Sequence, residues 1–102
     1  MNLLDRLSES LDDKRNFRVP IIFRPLGKTP LLEKSEMYFN GREKISFVSE
    51  FIRSELNVEG NVYLYINNCL EPNKDECIFD LYLILNREQK LYISYSLKPL
   101  FL

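Results

Sequence analysis

The sequence predicts an α+β fold, a mixed sheet with a helix across one face, and three observations predict it. Apolar residues recur at intervals of three and four between Arg42 and Leu56, the period of one helix face. Leu91, Ile93 and Tyr95 alternate with Tyr92, Ser94 and Ser96, the period of a strand. Two opening β-rich runs are joined by a tight turn, whereas the helix returns the chain for a further strand, so antiparallel and parallel pairings are expected in one sheet. That order fits a β-grasp.

Composition bounds the chemistry. A chain of 102 residues with 45% apolar and 28% charged residues is the size and make-up of one compact domain. The formal charge of −1 gives no global field toward nucleic acid or anionic membrane. The absence of histidine removes the commonest general base and metal ligand, and Cys69 and Cys77 have no C-x-x-C spacing. Gly27, Gly41 and Gly60 stand too far apart for a phosphate loop. Triad, zinc and P-loop chemistry are therefore set aside, and no catalytic residue, cofactor or metal is expected. No apolar run approaches the ~20 residues of a membrane span. No secretory signal precedes the cysteines, so a soluble protein with free thiols is expected.

The elements follow in order. Residues 1–16 carry Leu3, Leu4, Leu7 and Leu11 at helical spacing in a charged background, an appended short helix. Phe17–Arg24 is a strand; Pro20 inside it means either a start near Ile21 or an edge or bulge position. After Pro25-Leu26-Gly27, Thr29 and Pro30 introduce a second, weaker strand from Leu31 to Phe39, ended by Asn40 and Gly41. Arg42–Leu56 is the main helix, stopped by Asn57 and Gly60. Val62–Ile66 is a buried strand closed by Asn67, Asn68 and Pro72. Asn73 or Asp75 is placed to cap the next element, whose Ile78, Leu81, Tyr82 and Leu85 keep helical spacing in a composition that also suits a strand. Asn86–Gln89 is a polar turn before the last strand.

Three stretches resemble the ubiquitin-like autophagy-related protein 12 family. They are Phe23-Arg24-Pro25-Leu26-Gly27-Lys28-Thr29-Pro30-Leu31-Leu32, Phe51-Ile52-Arg53-Ser54-Glu55-Leu56, and Tyr63-Leu64-Tyr65-Ile66-Asn67-Asn68-Cys69-Leu70-Glu71-Pro72. The resemblance covers residues 17–102, a ubiquitin-like domain after the 1–16 extension. It implies four strands, a short helix within Asp75–Leu85, and a central position for the last strand.

Function is implied by that resemblance alone. The family's modifier is joined through its terminal glycine to a lysine of autophagy-related protein 5. With autophagy-related protein 16 the pair promotes lipidation of autophagy-related protein 8 by recruiting the conjugating enzyme, autophagy-related protein 3. Here Leu100-Phe101-Leu102 puts leucine where that glycine should be, and a Cβ-bearing residue obstructs the close approach that activation requires. The chain thus resembles the glycine-less form, a noncatalytic subunit bound to autophagy-related protein 5 without a covalent bond, through Leu100, Phe101, Leu102 and Tyr95. Burying each tail side chain is worth ~1.5–3 kcal/mol before ordering costs. The conjugating-enzyme surface carries over to Arg18, Met37, Asn67, Leu70 and Pro72. Met37 replaces a tryptophan there and Leu70 a phenylalanine. A cytoplasmic protein recruited to membranes undergoing lipidation is expected. The alternatives are a covalent modifier whose glycine is missing from this sequence, and a generic β-grasp adaptor.

Overall fold

A computed structural model of the chain describes residues 15–99. Strand β1 spans Arg18–Pro25 and β2 Glu36–Asn40; helix α1, Ile45–Leu56, leads to β3, Tyr63–Ile66, and helix α2, Ile78–Leu85, to β4, Leu91–Ser96. The sheet order is β2-β1-β4-β3. The two outer pairings are antiparallel and the central β1–β4 pairing is parallel. The mixed sheet and the central last strand are as expected.

The alternation of each strand sends one set of side chains to the helices. Val19, Ile21 and Phe23 of β1 and Leu91, Ile93 and Tyr95 of β4 are buried with Ile45, Val48 and Ile52 of α1. Aromatic contacts continue that layer to the β2 edge, with Phe39 and Phe51 edge to face at 5.4 Å and Phe23 and Phe51 stacked at 6.3 Å. Such pairs add roughly 0.5–1.5 kcal/mol to the burial of their area.

Pro20 lies within β1, opposite Tyr38. The Phe23 amide donates to Ser35 on the β2 side, whereas the Leu26 amide donates to Tyr95 on the β4 side. Residues alternate between the two ladders, so the Pro20 nitrogen faces β4, where pairing begins only at Ile21. The proline costs no ladder bond and sits at an edge position of a central strand.

The second strand is shorter than expected. Residues 31–35 are not strand, and Leu31 is 78% exposed. Their backbone is held locally instead. The Thr29 amide and hydroxyl both donate to the Leu26 carbonyl, at 3.1 and 2.6 Å, and Tyr95 ties down Pro30 and Leu32.

The main helix also starts three residues later than its periodicity suggests, because Arg42–Lys44 forms a turn on Asn40. Neither helix has a side-chain N-cap. Each start is satisfied by the backbone before the other: Ile45 and Ser46 donate to Glu76 and Lys74, while Ile78 and Phe79 donate to Glu43 and Gly41. Asn73 therefore closes its own turn, accepting the Asp75 amide at 3.0 Å, and neither residue caps the second helix. At the other end of α1, left-handed Asn57 and the Val58-to-Arg53 bond form the expected stop. The extension expected over residues 1–16 falls outside the described residues apart from its last two. Of these, Arg15 donates twice to the Asp80 carboxylate, at 3.1 Å each.

Candidate partner-binding surface

Strand β2 is an edge. Its odd residues bond to β1, which leaves the backbone N–H and C=O groups of Glu36 and Tyr38 facing outward, with no strand beside them among the described residues. On the helix side of that edge runs a cleft of about 480 Å³ whose apolar wall is Leu32, Met37 and Phe51, rimmed by Glu33, Lys34 and Glu55. The Phe39 ring, against Phe47 at 6.1 Å as well as Phe51, braces α1 at a fixed distance from the strand. Phe47 is 48% exposed and extends the apolar surface.

The opposite face of the same edge is charged. The Arg18 guanidinium lies 5.4 Å from the centre of the Tyr38 ring. Lys90 donates to Glu36 at 3.1 Å, and that hydrogen bond, reinforced by the carboxylate's charge, raises the Lys90 pKa above its ordinary value. A free strand edge with an apolar cleft on one face and paired charges on the other suits an extended peptide, whose backbone pairs with the strand while alternate side chains enter the cleft.

The predicted site residues divide between two places. Met37 lines the cleft and Arg18 stands on the other face of the same edge. Asn67, Leu70 and Pro72 follow β3, and β1 and β4 intervene, roughly 14 Å across the sheet. There Leu70 is 47% exposed, Pro72 is buried, and left-handed Asn67 donates its side-chain amide to the Leu85 carbonyl at 3.3 Å. The five residues thus do not form one patch.

Tyr95 requires a correction. Its side chain is only 1% exposed, because β4 is central and the residue points to the helix layer, so it offers no surface to a partner. Its hydroxyl is spent internally, donating to the Pro30 carbonyl at 2.9 Å and accepting the Leu32 amide at 3.0 Å. Leu100, Phe101 and Leu102 lie outside the described residues. At their root is a largely apolar groove of about 700 Å³ between Leu26–Thr29 and Ser96–Pro99.

Leu32 and Phe51 are the functional candidates that sequence reasoning missed. Phe51 carries a helix-face pattern that signals core, and nothing in it distinguishes a cleft wall from a buried contact. The cysteines are free, Cys69 exposed and Cys77 half-buried. Among the described residues no group of three or more histidine, cysteine, aspartate or glutamate side chains is placed to hold a metal.

The profile of one family, described as the ubiquitin-like autophagy protein Apg12, matches residues 18–101. The ubiquitin-like protein ATG12 of Debaryomyces hansenii is 34% identical over 91 residues, which are 88% of this chain and 60% of that protein. The ATG12 of Oryza sativa subsp. indica is 33% identical over 79 residues, covering 78% of this chain and 84% of its own. Among solved structures, Plasmodium falciparum Atg8 in complex with an Atg3 peptide superposes with a TM-score of 0.70 at 19% identity, over 96% of this chain and 92% of that one. Trypanosoma brucei ATG8 gives 0.70 at 18%, over 94% and 88%. These two likenesses show the fold, a ubiquitin-like β-grasp.

Proposed function

Because the chain belongs to the family of the ubiquitin-like autophagy protein Apg12, we propose that it is a noncatalytic subunit that docks on autophagy-related protein 5 without a covalent bond. The observation that carries the proposal is the pair Phe101-Leu102, in which leucine follows the aromatic residue where the resemblance puts the glycine used in conjugation. The apolar groove lined by Leu26–Thr29 and Ser96–Pro99 supports it, since it offers a partner an apolar surface on the residues that precede Leu100 in sequence. Together with autophagy-related protein 16, the complex promotes lipidation of autophagy-related protein 8. The protein resides in the cytoplasm and reaches the membrane through that complex.

Its contribution is recruitment of the conjugating enzyme, autophagy-related protein 3, by a segment laid along β2 with an apolar side chain between Met37 and Phe51. The free edge and its cleft support this reading. Met37 stands where the resemblance places a tryptophan, and its flexible side chain can adapt to an apolar anchor in the cleft. Binding assays on the co-purified complex test the tail: Phe101→Ala is expected to weaken the partner at least tenfold, about 1.4 kcal/mol. Full-strength binding by that variant would remove the tail as the anchor.

A further inference from the structure

A second cleft, of about 600 Å³, opens on the face of the sheet away from the helices, at the end of β4 where the Asn67-Asn68 turn and the Arg87–Lys90 turn meet. Two guanidinium groups converge on it. Arg24 of β1 and Arg87 lie 5.9 and 6.0 Å from the centre of the Tyr92 ring. Stacking on the ring leaves the N–H edges of both free to donate. Neither arginine is ion-paired with an acid among the described residues, although both are exposed and Glu88 stands on the rim.

The turns that carry Asn68 and Arg87 are held in costly conformations. Asn67, Asn68, Glu88 and Gln89 all have φ between 53° and 65°. Asparagine tolerates that region, but glutamate and glutamine do not favour it. The Ser94 hydroxyl donates to the Asn68 Oδ1, which fixes that amide and leaves its Nδ2 as a donor at the cleft wall. Asn67 is committed to the fold through Leu85. Arg24, Arg87 and Asn68 therefore form a three-point donor set over an aromatic floor.

We propose that this cleft binds a phosphate monoester. A dianion neutralises both arginines, whereas a carboxylate neutralises one, and the guanidinium fork matches phosphate geometry. The cleft lies over β1 and β4, whose backbone groups are consumed by ladders on both sides, so it offers no strand edge to an extended acidic peptide. Recognition by side chains alone suits a compact ligand. The monoester comes either from a lipid headgroup at a membrane surface or from a soluble phosphate. The proposal is independent of the partner-docking reading, because it uses the other face of the sheet from the Met37 cleft.

Amide chemical shifts of the full chain, titrated with inorganic phosphate and with glycerol 3-phosphate at constant ionic strength, test it. Shifts are expected at Asn68, Arg87 and Tyr92. Arg24→Ala and Arg87→Ala are each expected to weaken binding about tenfold, and Arg87→Lys less. Flotation with phosphatidylcholine vesicles, with and without phosphatidylinositol monophosphate, separates the sources. Capture only by the phosphorylated vesicles assigns a lipid headgroup, and saturation by glycerol 3-phosphate without capture assigns a soluble ligand. Both fold-preserving alanine variants binding phosphate like the parent chain would overturn the proposal, as would an unphosphorylated acidic peptide binding as tightly.

Discussion

The Tyr95 hydroxyl satisfies two backbone groups of the β1–β2 connection at once. Removing it in Tyr95→Phe leaves the Leu32 amide and the Pro30 carbonyl short of a partner, at an expected cost of ~1–3 kcal/mol in denaturant unfolding. Burial raises the phenol above its ordinary value of 10.0, with the Leu32 amide opposing. The folded state therefore holds this proton where the unfolded chain has begun to lose it. That stability is fully present below pH ~10 and is lost as pH rises through the folded value, so the phenylalanine variant should show a shallower alkaline decline. Gly41 supplies a second test, since a Cβ there would lie 2.6 Å from the Phe79 Cβ and 2.7 Å from the Arg15 carbonyl oxygen. Gly41→Ala is expected to cost ~1–3 kcal/mol, and to lower the Tm by several degrees in a thermal scan. At this scale the sequence is partly legible. Alternation in β4 places Tyr95 inward, but the partners of its hydroxyl lie more than sixty residues away, and no local pattern encodes them.

Strand β2 carries the recruitment reading. Its Tyr38 amide points away from β1, so Tyr38→Pro removes an outward donor without breaking the sheet. The variant is expected to stay folded by circular dichroism yet bind the conjugating-enzyme segment at least tenfold more weakly, while Tyr38→Ala, which keeps the amide, binds within a few-fold of the parent chain. Equal loss in both variants would mean that the tyrosine ring, and not the strand edge, makes the contact. Among the elements, α1 was plain from its period because Ile45, Val48 and Ile52 all bury on one face. The length of β2 was not, because Leu31 and Leu32 resemble strand residues while a distant tyrosine holds that segment as a connection. The helix starts were hidden for the same reason, their caps being backbone carbonyls brought from the opposite turn.

For the whole molecule, the order of strands and helices was readable because the helix between β2 and β3 and the alternation of β4 dictate a mixed sheet. The division of the candidate site was not, since sequence proximity to shared motifs says nothing of which sheet edge a residue reaches. Met37 and Leu70 end on opposite edges, so the complex engages them through different contacts if it engages both. The central claim, noncovalent docking, is tested most directly by producing the chain together with autophagy-related protein 5 and the conjugation enzymes, then comparing native and denaturing gels. One complex under native conditions that separates into two unmodified chains under denaturation is the predicted result. A single band that survives denaturation at the summed mass of both chains would contradict it.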